Sequence, residues 1–299
     1  MRKYHGLATE RVNPKTTTID TLDAGAILNV INQEDESAIR ALKSGLSSIK
    51  RAVAMVVDAW RLGRRIFFVG AGTSGRLGVM EAAECPPTFH TPPARIQAIM
   101  AGGSKAVFRS QEGAEDDAFA GRRAVRLKIR PGDVVIGIAA SGITPFVLAA
   151  LKEARRRDCR VILVTCNSEF SARRSTFKID VLISLNVGPE VIAGSTRLKA
   201  GTATKMALNM ITTAAMVRLG KVYGNLMVDL EIKSNKLKER AIRIVQELTG
   251  LNRSQALRHL RLAKGRSKVA IVMAKKGVNR SQAIRLLSKH RHSLRSALT

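Results

Sequence analysis

The stretch Arg65-Ile-Phe-Phe-Val69-Gly70-Ala-Gly-Thr-Ser-Gly75-Arg76 decides how the chain is read. Four consecutive apolar residues predict a strand buried on both faces, and the glycines after it predict a tight turn into a helix. The same texture recurs further on, with strands expected at Ile96 to Met100, Asp133 to Ile138, Arg160 to Thr165 and Val181 to Leu185, separated by helical segments. Strands alternating with helices predict an α/β fold built on a doubly wound, five-stranded parallel sheet. Towards the N-terminus, Ile19 to Ile31 and Ser37 to Leu62 predict two amphipathic helices, the second carrying Ile39, Leu42, Leu46, Ile49, Val53, Val56 and Val57 at helical spacing. From about Ser234 the sequence is helical and basic. It holds a short repeat, Gly250-Leu-Asn-Arg-Ser-Gln-Ala-Leu-Arg-His-Leu260 against Gly277-Val-Asn-Arg-Ser-Gln-Ala-Ile-Arg-Leu-Leu287, in which Asn or Ser can cap a helix. Two copies make a small bundle, not a solenoid. The expected division is a sheet-containing domain over 1–235, with an N-terminal helical arm, and a basic helical domain over 236–299.

The 299 residues suffice for about two domains with a large core, and 45% apolar residues exclude disorder as the main state. Lys and Arg number 51 against 23 Asp and Glu, a net charge of +28. Residues 251–299 hold 13 of those cations and no acid, so this last sixth carries +13. Such a surface predicts weak, sequence-independent attraction to polyanions. With only eleven aromatic residues in the whole chain and none in the tail, stacking platforms for single strands are not expected. Cys85, Cys159 and Cys166 form an odd set without CxxC spacing, and the five histidines are scattered, which argues against disulfides and against a metal site. The first thirteen residues include no apolar run of the kind a secretory signal needs. The longest uncharged run, Val134 to Leu151, carries Ser141-Gly142 and Thr144-Pro145 at its middle and reads as strand, turn and helix, so no membrane span and a cytoplasmic location are expected.

Gly70, Gly72 and Gly75 fit G-x-G-x-x-G, but the second strand ends in Ala101-Gly-Gly-Ser104, where a dinucleotide site would want an acid for a ribose hydroxyl. Thr73 and Ser74, with the free N–H groups of a helix start, suit a phosphate monoester instead. The third strand repeats the arrangement with Ser141, Gly142 and Thr144 before Pro145. In a 2-1-3-4-5 strand order these two loops share one crevice, which describes a sugar-phosphate pocket. Glu84 falls in the last turn before Pro86-Pro87, at the unfavourable negative end of a helix dipole. Glu112 to Asp117 lie at the start of the next helix, where acids are favoured. Gly188-Pro-Glu190 through Ser195-Thr196-Arg197-Leu-Lys199 combines a loop carboxylate, two hydroxyls and two cations in a first turn, where Arg197 and Lys199 call for an anion.

These motifs resemble the N-acetylmuramic acid 6-phosphate etherases, a family built on the sugar isomerase (SIS) domain. The resemblance covers nearly the whole chain: Thr9-Glu10 with Asn13, GAGTSGRLG at 70–78, ECPPTF at 84–89, EGAED at 112–116, IAASG at 138–142 with Thr144-Pro145, GPEVIAGSTRLKAGT at 188–202 and GNLMVDL at 224–230. ECPPTF together with EGAED is the most specific pair. The resemblance implies an SIS-type sheet and a cytoplasmic homodimer. It implies cleavage of the lactyl ether of N-acetylmuramic acid 6-phosphate to N-acetylglucosamine 6-phosphate and D-lactate during cell-wall sugar recycling, without metal or other cofactor. Carried over residue by residue, Glu84 matches the proton donor and Glu115 the second catalytic carboxylate. Gly72, Thr73, Ser74, Ser141, Gly142, Thr144, Glu190, Ser195, Thr196, Arg197 and Lys199 form the substrate-binding set. Ile143 stands where the family pattern has Arg and His90 where it has a small residue, and the large positive charge is not a family trait. GPE followed by GSTRLK is shared with the glucokinase regulatory proteins, so the alternative reading is a non-catalytic sugar-phosphate sensor.

Overall fold

A computed structural model describes residues 7–168, 170, 176–230, 232 and 234–299. Its sheet is five-stranded and wholly parallel: β1 (Ile66–Gly70), β2 (Ile96–Met100), β3 (Val134–Ile138), β4 (Arg160–Thr165) and β5 (Val181–Ser184), in the order β2-β1-β3-β4-β5. This is the doubly wound arrangement that the apolar runs predict. Every residue of β1 and β3 is buried, because helices cover both faces of a parallel sheet. Gly70 pairs with both Met100 and Ile138, so β1 sits between β2 and β3 and its C-terminal end abuts theirs. The helices are α1 (Ala24–Arg61), α2 (Gly72–Phe89), α3 (Lys105–Phe108), α4 (Ala118–Lys128), α5 (Pro145–Arg156), α6 (Lys199–Arg218), α7 (Asn235–Thr249), α8 (Arg253–Leu262), α9 (Ser267–Lys276), α10 (Arg280–Lys289) and α11 (Leu294–Leu298). Among the described residues no helix is long and apolar enough to cross a membrane.

The two N-terminal helices expected from periodicity are one helix. α1 runs unbroken for 38 residues, capped by the Asp23 carboxylate on the Ala26 N–H, and only Ile19–Thr21 forms a separate 3-10 turn before it. The polar run Asn32 to Glu36, which breaks the apolar pattern, stays helical because Glu34 points inward and is buried with cationic partners instead of apolar ones. Leu42, Ile49, Val56 and Val57 are buried, whereas Ile39 and Leu46 are about half exposed.

α2 also departs from expectation. It does not stop at Pro86-Pro87 but continues through both to Phe89, so Glu84 lies five residues before its end. Proline's fixed φ is compatible with a helix. The cost is the loss of the bonds that residues 86 and 87 would have donated to the carbonyls of Ala82 and Ala83. The chain then leaves through His90 at φ +51°, in the left-handed region that glycine adopts most readily. At its start α2 packs hard on the sheet: a Cβ on Gly75 would lie 2.8 Å from the Gly70 carbonyl oxygen, and one on Gly78 would lie 2.9 Å from the Phe68 Cβ.

The chain forms two compact units, Met1–Ala82 with Ala94–Ile211, and Ala83–Pro93 with Thr212–Thr299. The texture change near residue 235 falls inside the second unit, at the start of α7. That unit has its own core, including Ile242, Val245, Leu260, Val269, Ile271, Val272 and Leu287. Its repeat is structural. Asn252 and Asn279 cap α8 and α10 with reciprocal Gln255 and Gln282 bonds, and Ala256, Leu260, Ala283 and Leu287 face inward. Lys221 and Lys268 share Asp229 at 2.8 and 3.2 Å.

Candidate active site

The loop after β1 enters α2 at Gly72, whose φ of +53° suits a residue without a Cβ. The N–H groups of a helix's first turn have no intrahelical acceptor, so Gly72, Thr73 and Ser74 present donors, with two half-buried hydroxyls beside them. In the adjacent loop after β3, Gly142 at φ +76° leaves no room for a side chain: a Cβ would meet the Thr165 hydroxyl at 2.9 Å. The Ser141 hydroxyl accepts from the Ile143 N–H, and the Asn167 amide donates to the Ser141 carbonyl at 3.0 Å, which holds this turn in shape. Thr144 makes no side-chain cap bond to α5.

Glu115 lies in the loop before α4, and its carbonyl accepts from the Phe146 N–H at 2.9 Å, which fastens it to the start of α5 just after Thr144 and Pro145. Asp117, not Glu115, caps α4, through the Ala120 N–H at 2.8 Å. A cleft of about 130 Å³ runs from Ala71 and Gly72 past Arg76 and Met100 to Ser110–Glu115. It brings an exposed carboxylate to the same cavity as the α2 start. Arg76, absent from the sequence-derived set, lines it too and donates from Nε to the Val107 carbonyl at 2.9 Å. Its position next to the Gly-rich turn, one residue past the first turn of α2, is the only trace of it in the sequence.

The 188–202 segment is organised by two buried acids. Glu190, wholly buried, accepts from the Lys199 N–H at 3.0 Å and the Ala200 N–H at 2.9 Å, so it closes the open end of α6. Burial pushes its carboxyl up from the ordinary value and those N–H bonds pull it part of the way back. The Lys199 ammonium, also buried, meets Glu34 of α1 at 2.7 Å, and Glu34 further accepts from Lys15 at 2.9 Å and Asn13 at 2.8 Å. Burial pushes Glu34 up, but the hydrogen bonds from Lys199, Lys15 and Asn13 outweigh it and hold the carboxyl at about 2. The anion that Lys199 faces is thus internal. The N-terminal arm joins the same cluster, since the Asn13 amide also reaches the Pro189 carbonyl and the Thr16 hydroxyl the Val191 carbonyl. Glu34 carries no sequence signal beyond an acid amid polar neighbours.

Ser195 and Thr196 are half-buried and Arg197 is exposed. The first turn of α6 approaches that of α2, where a Cβ on Gly201 would lie 3.7 Å from the Thr73 methyl. The loops after β1 and β3, Glu115 and the start of α6 therefore converge within the first unit. Glu84 is exposed on α2 within the Ala83–Pro93 portion of the second unit.

Two family models match the chain, the glucokinase regulatory protein N-terminal SIS domain over residues 48–155 and the SIS domain over 110–214. A phosphoheptose isomerase of Francisella tularensis shares 19% identity over 62% of this chain and 98% of its own, with a TM-score of 0.47. Curated relatives are far nearer in sequence. An N-acetylmuramic acid 6-phosphate etherase from Picosynechococcus is 46% identical over 98% of this chain and 96% of its own length. One from Geobacillus thermodenitrificans is 50% identical over 89% of this chain and 90% of its own. With that identity spread over nearly the full length of both partners, the chain belongs to the N-acetylmuramic acid 6-phosphate etherase family.

Proposed function

We propose that this protein is a carbon–oxygen lyase that cleaves the lactyl ether of N-acetylmuramic acid 6-phosphate, releasing D-lactate and N-acetylglucosamine 6-phosphate in the recycling of cell-wall sugar. The observation that carries the reading is the cleft in which Glu115 meets the N-terminus of α2, an acid–base group beside a phosphate-binding geometry. The phosphate is bound by the donors of Gly72, Thr73 and Ser74 and by the Ser141, Gly142 and Thr144 turn, with Ser195, Thr196 and Arg197 completing the pocket. Glu190 and Lys199 serve it by holding the start of α6.

An ether is a poor leaving group, and the route around it is elimination. In the ring-opened sugar the C2 proton is acidified by the C1 aldehyde, and Glu115 removes it. The electron pair forms the C2–C3 double bond as the C3–O bond breaks, and Glu84 protonates the departing lactate oxygen. Water then adds at C3 and a proton returns to C2. The sequence is redox-neutral, and acid–base groups suffice for every step. Catalysis is assigned to residues 1–235, in the cytoplasm, and 236–299 to a separate helical domain whose acid-free segment 251–299 attracts polyanions weakly. A homodimer is supported by α1, where Leu28, Ile39 and Leu46 are exposed at spacings of eleven and seven residues and so share one side of the helix.

The direct test is incubation of the purified protein with N-acetylmuramic acid 6-phosphate and enzymatic detection of D-lactate. Stoichiometric D-lactate is expected. Saturable binding of the sugar phosphate without D-lactate release would favour the sensor reading.

A further inference from the structure

The repeat in the second unit is longer in structure than in sequence. α8 and α10 begin and end 27 residues apart, and the backbone correspondence continues past both. Gly250 and Gly277 precede the caps at φ +77° and +63°, and Lys264 and Arg291 follow the helices at φ +52° and +51°. Gly265 and His292 come next at +75° and +62°. Residues 250–265 and 277–292 are therefore two copies of one turn-helix-turn, both packed on the buried helix α9.

What the copies share on their outside is charge. Arg258 matches Arg285 and Lys264 matches Arg291, all four exposed. Among the described residues none of the four has a carboxylate within ion-pair distance, whereas Arg253 is paired with Glu239 at 2.6 Å. The 49 residues that carry these repeats hold no acid at all. Arginine and lysine restated at equivalent positions of a duplicated frame suit a partner whose negative charge is itself regularly repeated.

We propose that the duplicated turn-helix-turn of residues 250–292 is a docking surface for the phosphate backbone of duplex nucleic acid, contacted through Arg258, Lys264, Arg285 and Arg291. The features of the surface choose among polyanions. Membrane-surface helices bury Trp, Phe or Leu side chains in lipid. Here the apolar side chains of α8 and α10 turn inward, Leu262 is the one large hydrophobic residue of 251–299 that is strongly exposed, and no aromatic residue occurs there. Single strands are held by aromatic stacking, for which the segment has no side chain. A duplex needs neither, only cations against phosphates. The inference deepens the polyanion reading above and is independent of the etherase chemistry.

The test uses the full chain, a fluorescent 25-base-pair duplex of arbitrary sequence, and anisotropy titrations at several salt concentrations. A second protein carries Arg258→Gln, Lys264→Gln, Arg285→Gln and Arg291→Gln. A third carries four neutralisations in the first unit, Lys50→Gln, Arg61→Gln, Arg123→Gln and Lys128→Gln, and so has the same net charge. Four lost phosphate contacts should weaken duplex binding at least tenfold near 0.1 M salt and make the slope of log K against log salt shallower by about 3 to 4. D-lactate release should be unchanged, which also reports that the variant is folded. Equal losses in the second and third proteins would overturn the surface and leave only net charge. Stronger binding to phosphatidylserine vesicles than to the duplex at matched salt would assign the surface to lipid. Failure of the unaltered protein to bind heparin, vesicles or duplex would overturn the polyanion reading itself.

Discussion

The proposed elimination requires Glu84 and Glu115 to begin in opposite protonation states, one giving a proton to the lactate oxygen and the other taking one from C2. Glu→Gln keeps the side chain's size while abolishing proton transfer, so each change should leave the fold intact and lower turnover by about 100-fold or more. Deuterated solvent separates the roles. Glu84→Gln, with its base in place, should still exchange the C2 proton, and Glu115→Gln should not; the reverse pattern would exchange the assignments. A second residue-scale prediction concerns Glu34, whose carboxyl is held at about 2 against an ordinary 4.5. A depressed value contributes stability that is complete above pH 4.5 and is lost as the pH falls towards 2. The shift corresponds to about 3 kcal/mol, and removing the acid leaves the Lys199 ammonium buried without its partner. Thermal midpoints of the protein and of Glu34→Gln should therefore differ widely at pH 6 and draw together as the pH falls from 4.5 towards 2. A gap that does not change with pH would contradict the pairing. At this scale the hydroxyl loops, Glu84 and Glu115 stand out as candidates through the motifs that hold them, whereas the placing of Glu84 in a helix's last turn fails because α2 continues to Phe89. Glu34 does not stand out, since its partners lie at Asn13, Lys15 and Lys199, and distant pairing leaves no local pattern.

At the scale of elements, the five strands follow directly from their apolar runs, and their observed ends differ from expectation by one residue at most. The helices were harder. α1 looked like two helices because a buried ion pair replaces an apolar contact at Glu34, and hydrophobic periodicity cannot register a charge that is neutralised by packing. α2 reads as shorter from the sequence because proline normally ends a helix: it removes a donor, crowds the carbonyl four residues back and restricts the residue before it. The start of α2 makes a testable claim about G-x-G-x-x-G: here its last glycine is needed for close packing on β1. Gly75→Ala would place a methyl group 2.8 Å from the Gly70 oxygen and 3.0 Å from the Met100 Cγ, and it should cost about 1–3 kcal/mol as overpacking. Gly25→Ala, near the start of α1, meets only Asp23 Oδ1 at 3.4 Å and should be neutral or stabilising. Denaturant unfolding of the two variants checks this. Equal effects would show that Gly75 is not at a close approach.

For the whole molecule, alternation of strands and helices implies a doubly wound sheet but leaves its strand order open; the observed order sets β1 beside β3, and that adjacency brings the two hydroxyl-bearing loops to one crevice. What the alternation does not carry is the grouping of residues 83–93 with 212–299, since it joins segments more than a hundred residues apart. The repeat was legible only in its identical residues. Its continuation through Lys264 and Arg291 lies in backbone conformation, where side-chain identity differs. The proposed reaction requires one molecule of water to replace lactate at C3 through an eliminated intermediate. The most direct measurement is mass and NMR analysis of products formed in ¹⁸O-labelled water and, separately, in deuterium oxide. N-acetylglucosamine 6-phosphate should carry the ¹⁸O label at C3 and one deuterium at C2, with unlabelled D-lactate released in equal amount. Lactate bearing ¹⁸O, or a product without deuterium at C2, would contradict it.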